Sequence, residues 1–349
     1  MIQSSQSKNK KKKVETPLAP DQNEEDTVTE QKIRPNTLNE IIGRTQEKKT
    51  VRMMMDSAKK RSEVVDHILF YGPPGLGKTT FAMAIAKEIG SSLRITSGPA
   101  IERQGDLAAI LTNLKANDVL FIDEIHRLAR TVEEILYAAM EDRAIDIVMG
   151  KAPSAKTIRL TLEPFTLVGA TTQIGKISSP MRDRFGLIQR LDYFGHEDIV
   201  KILDRAVKLW GMEQDSESLE EIAKRSRGTA RVALRLLRRV RDYTDSPSGE
   251  GKSQVEIVNG TLELLGVDEM GLEEIDRKLL TVMYQHFNGG PVGLGTLAAS
   301  VSEDVGTLSE VYEPFLMKSG LVKRTSRGRV LTESGLKKAM DILGMDSIV

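Results

Sequence analysis

Short apolar runs alternate with amphipathic helical patterns between Ile33 and about Gly195. The runs His67–Tyr71, Val119–Ile122 and Phe165–Ala170 are typical of buried strands, and the segments between them repeat apolar residues at helical spacing. Strands that alternate with helices in this way form a parallel sheet covered on both faces. The pattern predicts an α/β domain over this part of the chain.

Beyond Gly195 the pattern becomes helical and then changes again. Residues 196 to about 268 carry helical periodicity with few strand signals. After Gly271, three helical segments are followed by two short strand patterns, 321–324 and 329–332, around a Gly-containing turn. Three helices and a hairpin predict a winged helix. The expected organisation is a tail over 1–31, a large α/β domain over 32–197, a small helical domain over 198–268 and a winged helix over 269–349.

Composition narrows the classes of function. Lysine plus arginine and aspartate plus glutamate both total 50, so nucleic-acid binding would require local segregation of charge. Cysteine is absent and the four histidines are scattered, which leaves no thiolate or histidine metal site in the sequence. Residues 1–31 combine a lysine run with an acidic stretch and predict a disordered, solvated tail. No span reaches transmembrane length, so we expect a cytoplasmic protein.

The first chemical motif is Gly72-Pro-Pro-Gly-Leu-Gly-Lys-Thr79, which fits G-x-x-x-x-G-K-[ST] between a predicted strand and a predicted helix. Glycines such as Gly75 and Gly77 let backbone N–H groups face a phosphate, and Lys78 reaches the β- and γ-oxygens. Thr79 supplies a hydroxyl to magnesium. The motif predicts a binding site for ATP with Mg²⁺.

A second motif predicts that the protein hydrolyses the nucleotide that it binds. Asp123 and Glu124 end a buried strand 45 residues after Lys78, at the sheet edge where parallel sheets bind ligands. Asp123 suits magnesium coordination, and Glu124 suits activation of the attacking water. Thr171 ends another buried strand, where its hydroxyl would sense the γ-phosphate or position water.

Two arginine features lie beyond these strands. Arg184 sits on a surface segment after Ser179-Pro180, and an arginine too far along the chain to reach its own nucleotide would act on that of a neighbouring subunit. A surface ion pair with Asp183 is the alternative. Residues 222–241 carry eight cations and no acid. Arg231 is expected to face phosphate, and the others either face phosphate or form a basic helix face paired with an acidic neighbour.

With these residues assembled, the chain from Ile33 to Gly335 resembles the RuvB family, the AAA+ motors of bacterial Holliday-junction branch migration. The stretches that carry the resemblance include Thr96-Ser-Gly-Pro-Ala100, Asp118-Val-Leu-Phe-Ile-Asp-Glu-Ile-His-Arg127, Arg182-Asp-Arg-Phe-Gly186 and Leu236-Leu-Arg-Arg-Val-Arg-Asp242. The resemblance implies a homohexameric ring on duplex DNA in recombination, DNA repair and the SOS response. It also implies loading onto four-way junctions by RuvA and, through the assembled complex, a link to the resolvase RuvC.

The resemblance also implies roles for individual residues. Arg184 resembles the finger that acts in trans, and Arg231 resembles the second sensor. The positions implied to contact ATP are Ile33, Arg34, Gly75, Gly77, Lys78, Thr79, Thr80, Glu141, Asp142, Arg143, Arg184, Phe194 and Arg231. The wing arginines Arg324 and Arg329 are the implied DNA contacts, and with aromatics at only 4% of residues a stacking reader of single strands is disfavoured. Residues 142–159 resemble a hairpin that docks RuvA, with Ile145, Ile147 and Val148 as apolar contacts or, alternatively, as strand core.

The chain departs from the family pattern at several positions. Gln173 stands where an arginine is usual beside the first sensor, Ala230 where a proline is usual, and Phe194 where a tyrosine is usual. In the winged helix, Ser302-Glu-Asp-Val305 replaces a stretch that normally includes a DNA-contacting arginine.

Two rival functions remain open from the sequence. A protein-remodelling AAA+ machine usually carries an aromatic pore loop, whereas the candidate loop here is Ser97-Gly-Pro-Ala-Ile101. An ATP-switched transcription regulator would use the winged helix to read sequence. Stimulation by DNA rather than by unfolded protein, and uniform affinity across DNA sequences, would separate the DNA motor from both.

Overall fold

The computed structural model describes residues 33–149 and 156–345, with the side chains of 147–149 and 156 left aside. The tail predicted over 1–31 lies outside these residues. The chain divides into two units, Met1–Arg34 and Pro35–Val349. All elements below belong to the second unit.

A five-stranded parallel sheet forms the centre of the first domain. Its strands are β1 (Ile68–Tyr71), β2 (Leu93–Ser97), β3 (Val119–Asp123), β6 (Thr166–Thr171) and β7 (Leu187–Arg190), in the order β2-β3-β6-β1-β7. A separate antiparallel hairpin joins β4 (Ala144–Met149) to β5 (Lys156–Thr161). The predicted parallel sheet and the predicted hairpin are both present.

Helices cover both faces of this sheet because successive strand residues point to opposite sides. They are α1 (Thr45–Arg61), α2 (Lys78–Ile89), α3 (Gln104–Thr112), α4 (Arg130–Glu141) and the short α5 (Ser179–Arg182). Leu69 packs in one buried cluster with residues of α3 and α4, whereas Ile68 and Phe70 pack in another with residues of α1 and α2. The α/β prediction is confirmed.

Four helices follow the sheet: α6 (His196–Trp210), α7 (Ser216–Arg225), α8 (Ala230–Thr244) and α9 (Gln254–Leu264). Each is amphipathic and buries one apolar face against the others, through side chains that include Leu203, Ile222, Leu236 and Val258. The predicted helical character of this part is confirmed.

The last domain comprises α10 (Glu274–Phe287), α11 (Leu294–Val301), α12 (Val305–Thr307), a π-helical turn Leu308–Tyr312, α13 (Glu313–Lys318), the hairpin β8 (Val322–Thr325) and β9 (Gly328–Leu331), and α14 (Glu333–Ile342). One hydrophobic cluster unites these elements. Both wing strands lie within one residue of their predicted positions, and helical segments precede them as expected. The winged-helix prediction is confirmed.

Candidate active site and DNA surface

The loop from β1 to α2 is shaped by its glycines. Gly72 has φ +143°, and a Cβ at this position would lie 2.2 Å from the carbonyl oxygen of Leu191. A side chain is therefore excluded both by backbone conformation and by space. The chain turns here so that residues 73–77 wrap the N-terminus of α2, where unpaired N–H groups favour an anion.

Lys78 begins α2 inside this loop. Its ammonium donates to the carbonyl oxygens of Gly72 at 2.8 Å and Pro73 at 2.9 Å, and the residue is 7% exposed. Burial lowers the pKa of Lys78, while the charges of Glu124 and Asp123 act in the opposite direction. A phosphate bound in the loop would compensate this buried charge, so the loop fits a nucleotide polyphosphate.

Asp123 and Glu124 lie at the carboxyl edge of the sheet. The Glu124 N–H donates to Asp123 Oδ1 at 3.0 Å. Burial, followed by the charge of Glu124, raises the pKa of Asp123, whereas Lys78 and Arg231 oppose that rise. A carboxylate whose ionisation is held back in this way, with a second carboxylate beside it, would be stabilised by a cation.

Magnesium fits this arrangement as a partner of nucleotide. In the described ranges, no cluster of three or more His, Cys, Asp or Glu side chains forms a metal site. Mg²⁺ bound with a nucleotide needs only one or two protein oxygens, since phosphates and water complete its octahedral shell. Thr79 at the start of α2 and Asp123 at the end of β3 supply such oxygens.

Glu124 is held by Thr172, the residue that follows the predicted sensor Thr171. Its Oε2 accepts from Thr172 Oγ1 at 3.1 Å and from the Thr172 N–H at 3.2 Å, and it lies 3.1 Å from His126 Nδ1. Glu124 itself has φ +46°, in the left-handed region. A strained residue held by several donors has a fixed side-chain direction, as an activator of water requires.

The hydroxyl of Thr171 is directed elsewhere. It accepts from the Gln173 N–H at 2.9 Å and lies 2.9 Å from His126 Nδ1. Thr171 is fully buried because it is the last residue of β6, whereas Thr172 lies beyond the strand. The structure therefore places Thr171 behind His126, and Thr172 is the threonine that touches the candidate base.

Arg231 lies against the phosphate loop from the helical domain. Thr229 caps α8 by accepting from the Val232 N–H at 3.3 Å. A Cβ at Gly75, whose φ is +78°, would lie 2.8 Å from Cβ of Arg231. Gly75 thus allows α8 to approach the loop, and Arg231 is exposed beside it.

Phe194 forms a stacked pair that the sequence reading missed. The guanidinium of Arg44 lies 4.1 Å from the Phe194 ring centroid, and Arg44 Nη2 donates to the Leu76 carbonyl oxygen at 3.3 Å. Arg44 thereby joins Phe194 to the phosphate loop. Ile33 and Arg34, also expected on the adenine side, belong to the N-terminal unit that ends at Arg34.

Arg184 is bound to α4 and α5. Its Nη2 donates to Glu141 Oε2 at 2.6 Å, its Nη1 donates to the Pro180 carbonyl oxygen at 2.7 Å, and its guanidinium lies 5.0 Å from the Tyr137 ring centroid. The alternative partner Asp183 is replaced here by Glu141. Two predicted nucleotide contacts, Arg184 and Glu141, are thus neighbours.

The adjoining residues Asp142 and Arg143 start the hairpin. Asp142 Oδ2 accepts from Arg159 at 3.0 Å, and the Arg143 carbonyl oxygen accepts from the Leu162 N–H at 2.8 Å. Arg143 has φ +51°. The segment 141–143 therefore forms one surface with Arg184, on elements other than the phosphate loop.

The predicted apolar contacts on this hairpin need a correction at Ile145. Ile145 is fully buried in the core cluster with α3 and α4, so its side chain is strand core. Ile147 pairs in register with Ile158, which is 43% exposed on the opposite strand. The side chains of Ile147 and Val148, and the residues Gly150 and Pro153, lie outside the described part. Ile158 is the exposed apolar residue that sequence reasoning passed over.

The two wing arginines share one carboxylate. Glu313, at the start of α13, is 2% exposed and accepts from Arg324 Nη2 at 2.8 Å and from Arg329 Nε at 2.8 Å. Burial acts to raise the pKa of Glu313, but the hydrogen bonds from Arg329 and Arg324 outweigh it and the pKa is lowered. Arg324 stays 56% exposed, whereas Arg329 is 16% exposed. Arg329 is thus a structural partner as well as a candidate DNA contact.

Other wing cations are open to solvent. Lys323 on β8 and Arg327 in the turn are both exposed. Val305, the last residue of the stretch that departs from the family pattern, is 44% exposed. No helix in the described part of the chain is long and apolar enough to cross a membrane.

Comparison with known proteins agrees with this arrangement along the chain. Residues 33–191 match the family described as the Holliday junction DNA helicase RuvB P-loop domain. Residues 194–268 match the RuvB AAA lid domain, and 269–339 match the RuvB C-terminal winged helix domain.

Solved structures give the same result. The Thermotoga maritima RuvB Holliday junction branch migration motor is 46% identical, with a TM-score of 0.79, and the match covers 90% of this chain and 99% of that chain. A mutant of Thermotoga maritima RuvB is 47% identical, with the same coverage and a TM-score of 0.81. The chain belongs to the RuvB family of AAA+ P-loop ATPases.

Proposed function

We propose that this chain is an ATP-driven DNA motor that moves Holliday junctions during recombination and repair. The observation that carries the proposal is the meeting of Lys78, the Asp123–Glu124 pair and Arg231 at one edge of the sheet, in a chain that also contains a winged helix. The first three features suit hydrolysis of a nucleotide, and the last suits contact with duplex DNA.

Nucleotide binding would use the loop and both adjoining domains. Lys78, Thr79, Thr80 and the N–H groups of Gly75 and Gly77 would hold the phosphates, with Arg231 closing over them. Phe194, braced by Arg44, would flank the base. Thr79 and Asp123 would hold Mg²⁺ together with ATP, and the cation would supply neutralisation of phosphate charge.

Hydrolysis would depend on Glu124. Its carboxylate would orient a water molecule and accept its proton, because Thr172 and His126 fix Oε2 at hydrogen-bond distance. His126 and Thr171 would act behind Glu124 by keeping its direction. A base fixed before the reaction avoids the reorganisation that a mobile carboxylate requires.

The site would be completed by a second copy of the chain. Arg184 is held beside Glu141, and both lie on elements other than the phosphate loop, which supports a finger and a 141–143 segment that serve a neighbour's nucleotide. We propose a homohexameric ring as the assembly. Arg184 would leave Glu141 to reach a γ-phosphate, which offers more negative charge than one carboxylate.

Contacts outside the ring would involve DNA and partner proteins. The wing, through Arg324, Arg329, Lys323 and Arg327, would hold duplex phosphates. The β4–β5 hairpin would dock RuvA through Ile158, Ile147 and Val148. The resolvase RuvC would join through the assembled complex. We place the protein in the cytoplasm, within the SOS response, with domains over 32–197, 198–268 and 269–349 and a solvated tail over 1–31.

The experiment is ATP hydrolysis measured alone, with four-way junction DNA, with junction DNA and RuvA, and with an unfolded protein. We expect stimulation by junction DNA, a further rise with RuvA and no response to unfolded protein. Stimulation by unfolded protein would favour a remodelling machine. DNA binding restricted to one sequence would favour a transcription regulator.

A further inference from the structure

One helical stretch of the winged helix touches the nucleotide site at two places. It runs from Leu308 through the π-helical turn into α13 and ends at Lys318. Glu310 and Lys318 are eight positions apart, about 12 Å at the rise of a helix. Each of them contacts a different side of the site.

The first contact reaches the loop after β6. Gln173 Nε2 donates to Glu310 Oε1. Gln173 also donates its backbone N–H to Thr171 Oγ1 at 2.9 Å. The residue before it, Thr172, donates a hydrogen bond to the carboxylate of Glu124. The charge of Glu310 also acts on the pKa of His126, which burial lowers and which Glu124 and Glu310 act to raise. Glu310 therefore lies next to the residues that fix the candidate base.

The second contact reaches the loop before α8. Lys318 Nζ donates to the Arg227 carbonyl oxygen at 3.0 Å and lies 3.9 Å from the Tyr193 ring centroid. A Cβ at Gly228 would lie 2.4 Å from Lys318 Nζ, and the Gly228 carbonyl oxygen accepts from the Phe194 N–H at 2.9 Å. Lys318 thus contacts the loop before α8, which is hydrogen-bonded to the segment that carries Phe194.

Arg227 fastens the same loop to the winged helix. Its Nη2 donates to Asp276 Oδ2 at 2.7 Å, its Nε donates to the Gly271 carbonyl oxygen at 3.0 Å, and its guanidinium lies 4.5 Å from the Phe315 ring centroid. Asp276 is fully buried. Removing one partner of such a buried pair is costly, so the loop is firmly anchored. Two residues further on, Thr229 caps the helix that carries Arg231.

We propose that Glu310 and Lys318 are positioning residues for ATP hydrolysis. Through Glu310 the winged helix orients Glu124, and through Lys318 it orients Arg231. The inference rests on the proposed ATPase function. Because both contacts belong to one short helical stretch, a displacement of that stretch when the wing engages duplex would change both sides together. Binding of DNA to the wing would thereby change the geometry of the nucleotide site in the same chain.

The test compares ATPase kcat and KM for full-length Lys318→Met and Glu310→Ala with matched controls. Lys337→Met and Glu333→Ala remove the same charges from exposed positions on α14. We expect Lys318→Met to lower kcat/KM by about tenfold, the scale of one lost hydrogen bond, and Glu310→Ala to lower kcat by about threefold. Both controls should match the parent, and Lys318→Arg should recover most of the loss.

A double-mutant cycle separates positioning from a general loss of folding. In an Arg231→Ala background, Lys318→Met should have little further effect, and in a Gln173→Ala background Glu310→Ala should have little further effect. Full additivity in both cycles, or parental kinetics in both single variants, would overturn the inference. If Lys318→Met fails to fold, the Gln173–Glu310 cycle decides alone. A parent without ATPase activity would refute the proposed function instead.

Discussion

The hydroxyl of Thr172 lies 3.1 Å from Oε2 of Glu124, at the carboxyl edge of the sheet. Thr171, one residue earlier, is buried and lies against His126 instead. The two neighbouring threonines therefore have different tasks. One holds the candidate base, and the other supports the histidine behind it.

Replacing these threonines separates the tasks. We expect Thr172→Val to lower kcat by about tenfold or more without a change in thermal stability, because one donor to Glu124 is lost. Thr171→Val should lower the melting temperature as well, since the Gln173 N–H loses its acceptor and the His126 ring loses a hydrogen-bond partner. Equal kcat for Thr172→Val and the parent would remove Thr172 from the site.

Arg184→Ala should bind ATP but lose hydrolysis by roughly 10³-fold or more, the scale of arginine-finger effects. A mixture of Arg184→Ala and Lys78→Ala chains tests action in trans. Some interfaces in such a mixture combine an intact phosphate loop with an intact finger, so activity should return. Absence of recovery, after co-assembly has been demonstrated by native mass spectrometry, would count against a finger that acts on a neighbour.

The phosphate loop and the Asp123–Glu124 pair could be predicted because each is a short motif next to its own strand. The residues that the sequence did not reveal come from distant segments. Arg44 stacks on Phe194, which lies 150 positions further along the chain. Glu313 pairs with Arg324 and Arg329, which were expected only as DNA contacts. No local pattern records such contacts.

The sequence also does not show which face of a strand is buried, although side chains alternate between the two faces. The sequence predicts Ile145, Ile147 and Val148 either as apolar contacts or as strand core, because hydrophobicity alone does not show which of these side chains face the core. Packing against α3 and α4 buries Ile145 and leaves Ile158, across the hairpin, exposed. The assignment depended on tertiary packing rather than on hydrophobicity.

Two hairpin variants test the docking surface. Ile158→Asp should keep basal ATPase and thermal stability but abolish stimulation by RuvA, because a carboxylate would be desolvated at the contact. Ile145→Asp should instead lower the melting temperature, since it places the charge in the core. RuvA binding that is unchanged in Ile158→Asp, measured by calorimetry, would show that this face is not the docking surface.

Two wing variants test the DNA surface. Arg327→Ala should flatten the slope of log affinity against log salt by about 0.9 without loss of stability, because an exposed phosphate contact is removed. Arg329→Ala should also destabilise the domain, by about 2 kcal/mol, since buried Glu313 loses one of its two charged hydrogen-bond partners. An unchanged salt slope in both variants, at parental ATP affinity, would mean that the wing does not contact duplex DNA.

The central claim is that hydrolysis activated by Glu124 moves the junction. The direct measurement is branch migration of a four-way DNA junction with RuvA and ATP, for the parent, Glu124→Gln and Lys78→Ala, together with ATP affinity. We expect migration only by the parent, parental ATP affinity in Glu124→Gln and weakened affinity in Lys78→Ala. Migration by Glu124→Gln near the parental rate, or migration by the parent without ATP, would contradict the claim.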